Sequence, residues 1–162
     1  MQKSFLLTVL ILTVYFGGLC GQSFDWNIRG GLNIMNGQPS DKDISLFYHA
    51  GVQAGVRIAY FGVYGEAIYS MHENQYGGDP VAYLMPGIVV KRYLKQFLFV
   101  DFGGAFLSKI GDSGVPDDTL NPDNELVAMA GLGTAFSNFE LSVRAASRTS
   151  YGVIQVTAAV KF

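Results

Sequence analysis

The chain has 162 residues and a formal net charge of −2, enough for one domain and without sign of a second. Lys and Arg form no clustered stripe, which argues against a nucleic-acid partner. Charged residues make up 15% of the chain, below the level of about 25% usual in soluble domains. Apolar residues reach 49%, aromatics 14%, and there are 20 glycines. That balance suits a protein whose outer wall meets something other than water.

The first segment has the form of a secretory signal peptide, assigned to residues 1–21. Lys3 supplies a positive start, Phe5 to Phe16 is an unbroken apolar run, and Gly17, Gly18, Cys20 and Gly21 are small residues suited to cleavage. The run is too short for a membrane helix, which needs about 20 apolar residues. Cys20 is the single cysteine; Gly17 and Leu19 reverse the order expected before a lipidated cysteine. Cleavage after Cys20 or Gly21 leaves a chain without disulfides or thiol chemistry.

Residues 22–162 form the second unit, and their pattern has period two in segments of roughly ten residues. In the first segment, Trp26, Ile28, Gly30, Leu32 and Ile34 share one face, and Asp25, Asn27, Arg29, Gly31 and Asn33 the other. Helical spacing would mix these two sets, so the segment reads as a strand. The second sets Tyr48, Ala50, Val52, Ala54, Val56 and Ile58 against His49, Gly51, Gln53, Gly55 and Arg57. The third sets Phe61, Val63, Gly65, Ala67 and Tyr69 against Tyr64, Glu66 and Ser70. The fourth runs from Val81 to Lys91. In the fifth, Phe97 to Ser108, Leu98, Val100, Phe102 and Phe106 oppose Phe99, Asp101, Gly103 and Ala105. The sixth, Leu126 to Phe136, is weakly patterned and its faces stay open. The seventh sets Leu141, Val143 and Ala145 against Glu140, Ser142, Arg144 and Arg148, and the last sets Ile154, Val156, Ala158, Val160 and Phe162 against Gln155, Thr157 and Lys161.

Connections alternate between long polar stretches (Asn36 to Ser45, Met71 to Pro80, Lys109 to Glu125) and short ones (Ala59 to Tyr60, Arg92 to Gln96, Ser137 to Asn138). This alternation and the even strand number predict an all-β fold: an eight-stranded antiparallel up-and-down transmembrane β-barrel in the outer membrane. One face gathers Asp25, Arg29, Arg57, Glu66, Lys91, Asp101, Glu140 and Arg144; the other is almost wholly apolar or glycine. If the charged face is inside, a barrel this narrow packs those charges into a plug of ion pairs and hydrogen bonds rather than a channel. A secreted lipocalin-like ligand-binding barrel would reverse inside and outside.

Three stretches carry a family resemblance. They are Tyr83-Leu84-Met85-Pro86-Gly87-Ile88-Val89-Val90-Lys91, Glu66-Ala67-Ile68-Tyr69-Ser70, and the terminal Phe162 after apolar residues at alternate positions. Together they resemble the small outer-membrane β-barrel proteins of Gram-negative bacteria, of the PorT-like barrel-domain type. Pro86 comes one residue earlier than the family's usual proline, and Gly65 stands where a proline often precedes the glutamate, so the register of the third and fourth strands stays open. The resemblance implies an outer-membrane location among outer-membrane lipids. It also implies that the barrel-assembly machinery reads Phe162. It implies no activity.

Chemical motifs are sparse. Ser70, His72 and Glu73 lie together near a long connection, and a Ser, His and acid set can run acyl transfer; no nucleophile motif or oxyanion donor accompanies them. His72 is accordingly expected to be a solvated loop histidine. Asp112, Asp117, Asp118, Asp123 and Glu125 are dense enough to suggest calcium, but their spacing fits no calcium loop, Pro116 and Pro122 interrupt them, and a solvated loop is expected. Gly131-Leu132-Gly133 is a strand fragment, not a nucleotide loop. The expectation is a non-enzymatic outer-membrane barrel with no catalytic, cofactor-binding or metal-binding residues and no cofactor. Its role is structural or interactive, through its extracellular loops, in adhesion or envelope integrity. The alternatives are a transport or secretion accessory barrel and an outer-membrane lipid-modifying enzyme.

Overall fold

The computed structural model describes residues 22–35, 44–74, 79–111, 123–148 and 152–162. The expected signal peptide, with Cys20, and the acidic stretch from Asp112 to Pro122 lie outside the described residues. Eight strands follow one another: β1 (Gln22–Met35), β2 (Ser45–Ile58), β3 (Phe61–His72), β4 (Val81–Tyr93), β5 (Leu98–Lys109), β6 (Asn124–Phe136), β7 (Phe139–Ser147) and β8 (Gly152–Lys161). Each pairs antiparallel with its neighbour in sequence, and β8 returns to β1, so the sheet closes without an edge.

The short connections sit at the same end as Gln22 and Phe162, and the long ones at the other. Two of the short ones are two-residue turns, and Ala59 (φ 51°) and Ser137 (φ 47°) take the left-handed backbone these turns require. The third strand pairs with the fourth through Glu66 opposite Gly87 and Ala67 opposite Pro86, which fixes the register the sequence left open. The β4–β5 ladder skips Met85 and Pro86, where proline has no N–H to donate.

Every face assigned from the sequence is observed, and β6 now has one: Glu125, Val127, Met129, Gly131 and Gly133 point inward. Outside lie Phe24, Ile28, Leu32, Val52, Val63, Ile88, Phe102, Leu132, Leu141 and Val156, all substantially exposed. Inside lie Arg29, Glu66, Lys91, Asp101, Glu140 and Arg144, all buried. The distribution inverts that of a water-soluble barrel. The lumen is not uniformly polar, however. Met35, Ile68, Tyr83, Met85, Leu107, Val127, Met129 and Val153 belong to an apolar cluster drawn from β1 and β3 to β8, towards the long connections. The sequence did not show this cluster.

Candidate functional site

The central lumen holds a closed set of charges. Arg29 on β1 donates through Nη1 to Glu66 Oε2 on β3 (2.9 Å) and through Nη2 to Glu140 Oε1 on β7 (3.1 Å). Arg144, one inward step along β7 from Ser142, reaches Glu66 Oε2 at 2.9 Å and Asp101 Oδ2 on β5 at 2.9 Å. Lys91 on β4 donates to Glu140 Oε1 at 2.6 Å, and its ammonium lies 4.9 Å from the Tyr64 ring centre and 4.7 Å from that of Phe99. Gln53 on β2 adds a bond to Glu66 at 2.8 Å. Three cations and three carboxylates thus balance, which is the condition for keeping charge out of water.

Glycine makes room for this set. A Cβ on Gly131 would lie 2.5 Å from Arg144 Cγ and 2.7 Å from Asp101 Oδ1, and one on Gly133 would lie 2.3 Å from Phe99 Cζ. Arg57, expected in the same set, sits apart at the short-turn mouth. Its guanidinium stacks 3.8 Å from the Tyr93 ring centre and its Nε donates to the Ala59 carbonyl. The sequence gives its face but not its height in the tilted barrel, and its height takes it past Glu66. At the same mouth Tyr64 and Tyr93 share a hydroxyl–hydroxyl bond of 3.0 Å, and Tyr64 also reaches Asp25.

Nearer the long connections a second network crosses the lumen. Glu125 accepts from Arg148 Nε (2.8 Å), Arg148 Nη1 meets His72 Nδ1 (3.1 Å), and His72 Nε2 meets Ser70 Oγ (2.9 Å). Ser70 Oγ accepts from Asn33 Nδ2 (2.8 Å), Asn33 Oδ1 meets His49 Nδ1 (3.0 Å), and His49 Nε2 meets Thr157 Oγ1 (2.9 Å). Two expectations are corrected here. His72 is no solvated loop histidine: it ends β3 and is 2% exposed. Glu125 is no loop carboxylate: β6 begins at Asn124, which turns Glu125 inward onto Arg148. Asp123, just before β6, pairs with Lys109.

Ser70 and His72, both on the inward face of β3, do meet. The direction of the contact decides its chemistry. An arginine always carries its protons, so Arg148 donates and His72 Nδ1 must offer a lone pair. The ring proton then sits on Nε2, which donates to Ser70 Oγ. A base that activates Ser70 needs the reverse, a free Nε2 lone pair facing the hydroxyl. Glu73 lies just beyond β3, where its backbone N–H donates to Met35 Sδ. In this arrangement the pair is a link in a packed chain. Among the described residues no group of His, Cys, Asp and Glu has the geometry to hold a metal ion.

The fold has known counterparts. Neisserial surface protein A superposes with a TM-score of 0.52 at 13% identity, over 87% of this chain and 97% of that one. The outer membrane enzyme PagL superposes with a TM-score of 0.50 at 19% identity, over 85% of this chain and 98% of that one. The chain has the fold of the small outer-membrane β-barrels. At these identities the likeness concerns the fold alone, and one of the two counterparts is an enzyme. No protein-family model matches the chain, and no curated protein matches it.

Proposed function

We propose that this is an outer-membrane β-barrel of the PorT-like type, non-enzymatic, with a plugged polar lumen and a structural or interacting role in the envelope exercised through its long loops. The observation that carries the reading is the inverted wall. Side chains such as Ile28, Ile88 and Val156 face outward while six charges are sealed within. In water that arrangement exposes an apolar belt around the whole molecule; in a bilayer it is the stable one. Residues 1–21 then act as the export signal. Phe162 is the mark for the assembly machinery: its ring stacks on Trp26 (centres 4.5 Å apart) and its N–H donates to the Trp26 carbonyl, at the β1–β8 seam.

Adhesion or envelope integrity fits a barrel whose lumen is occupied and whose long, polar connections all leave from one end. The test combines location and conductance. In cells, the protein should stay with the membrane through a carbonate wash; refolded in a planar bilayer, it should pass no steady current. Release by the wash would defeat the membrane reading, and discrete ion-conducting steps would favour a transport role. The second reading, a lipid-modifying enzyme, has the Ser70–His72 contact in its favour but needs its hydrogen bond reversed from the direction that Arg148 imposes. Incubation with labelled lipopolysaccharide distinguishes it: acyl release by the wild type, lost in Ser70→Ala, would establish the enzyme.

A further inference from the structure

The outward positions of the eight strands are apolar, glycine or uncharged polar, with one exception among the described residues. Arg92, next to the last residue of β4, faces outward and is exposed. The other charged residues near this end, Asp25, Arg57 and Lys161, occupy the inward series. Asp25 and Lys161 lie 3.6 Å apart, and Arg57 covers Tyr93. Arg92 has no such arrangement. Its guanidinium lies 5.6 Å from the centre of the exposed Phe61 ring on β3, and no salt bridge to it is formed among the described residues.

Three residues on, the connection 94–97 carries Lys95, also exposed and also without a salt bridge there. This connection is held by bonds from Leu94 N and Lys95 N to the Leu98 carbonyl, and β4 is tied to the neighbouring turn by Tyr93 N to the Tyr60 carbonyl. Tyr60, Phe61, Leu94 and Phe97 surround the two cations with exposed apolar surface. A lipid-facing cation is tolerated where the acyl region gives way to headgroups, since the penalty fades towards the interface. Long cationic side chains there lay their stems on apolar surface and put their charge at headgroup height. This end carries four cationic side chains (Arg57, Arg92, Lys95, Lys161) against one acid (Asp25).

We propose that Arg92 and Lys95 form a binding site for the phosphate of an anionic glycerophospholipid in the leaflet at the short-turn end. The acyl chains lie along Phe61, Val90 and Val100, and the headgroup rests between the two cations. The inference depends on the membrane reading above. Arginine suits the role because its planar fork can hold two phosphate oxygens at once, and Lys95 adds a second point charge.

The test uses the wild type, Arg92→Gln, Lys95→Gln and the double variant, each refolded into vesicles. One set is phosphatidylcholine alone; the other contains about one third phosphatidylglycerol. Urea titration reads the folding equilibrium in each. Anionic lipid should raise the wild-type equilibrium constant by about fivefold for each cation that engages it. Each single variant should lose part of that gain and the double variant nearly all, with stability in phosphatidylcholine unchanged. Lys161→Gln removes the same charge from the inward series and should keep the gain. Inorganic phosphate added to phosphatidylcholine vesicles should not reproduce it, which separates a lipid headgroup from free phosphate. An equal gain in the double variant would overturn the proposal, and so would an equal loss of stability in both lipids. If the wild type inserts into neither vesicle, the membrane reading itself has failed.

Discussion

Removing Glu66 should be among the most costly single changes in this protein. Its carboxylate accepts from Arg29 at 2.9 Å, from Arg144 at 2.9 Å and from Gln53 at 2.8 Å, and the residue is 6% exposed. Glu66→Ala leaves three buried cations facing two carboxylates, Asp101 and Glu140, with no route to water for the surplus. Removing one partner of a buried ion pair costs about 3–5 kcal/mol, and here two cations lose a partner at once. The expected loss is at the upper end of that range. Glu66→Gln keeps the shape and some of the hydrogen bonds, and should cost less. Adding Arg29→Gln to Glu66→Gln restores neutrality and should recover about 1–2 kcal/mol of the summed single losses, as coupled neighbours do. The assay is urea unfolding in lipid vesicles, with Asp79→Ala, at an exposed position outside the strands, as the reference; its effect should stay within about 0.5 kcal/mol. A Glu66→Ala variant no less stable than Asp79→Ala would refute the reasoning, because the lumen would then have to be hydrated.

Three further outcomes are expected in the same assay. Val156→Arg, at the middle of β8 on the outer wall, should cost about 2–4 kcal/mol in lipid, and a change below about 0.5 kcal/mol would count against a lipid-facing wall. Gly131→Ala should cost about 1–3 kcal/mol, since its Cβ would meet the Val143 carbonyl oxygen as well as Arg144 and Asp101; a change below about 0.5 kcal/mol would count against this close packing. Phe162→Ala removes the ring stacked on Trp26 and should lower stability by about 1 kcal/mol or more, with the Trp26 emission shifting as its partner leaves.

Much of the barrel was legible because period two is a strong signal when one face is apolar and the other charged. The Trp26–Ile34 and Ile154–Phe162 series could be read on sight, and so could the sides of Glu66, Asp101 and Arg144. β6 was not legible, because Ala128, Ala130, Gly131 and Gly133 are small and carry little hydropathic contrast. Height within the lumen was also hidden, since it depends on strand tilt and register, which alternation leaves free. For that reason alternation groups Arg57 with the central charges and leaves Glu125 at the end of a connection. His72 reads as a loop residue for a related reason: β3 runs two residues past the point where its pattern fades. The lumen's apolar cluster draws on Ile68, which shares a face with Glu66, and on Met85 and Val89, which share one with Lys91; alternation gives their face but not their meeting, which depends on register. The spacing of Ser70 and His72 is compatible with contact, but neither the contact nor its tautomer is legible in it. The tautomer depends on Arg148, which is distant in sequence and reaches His72 only through the closure of the barrel.

The account turns on which side of the wall meets lipid, and one measurement addresses that directly. Cys20 is the single cysteine and lies before the barrel, so a chain starting at residue 22 can carry one nitroxide label at a chosen site. Labels at Val143 and Ile88, both outward on the strands, should in refolded vesicles collide freely with oxygen and hardly at all with a water-soluble nickel chelate. A label at Asp79, outside the strands, should show the opposite preference. Strong collision of the chelate with both wall labels would mean that the apolar face does not lie in lipid, and the outer-membrane reading would be wrong.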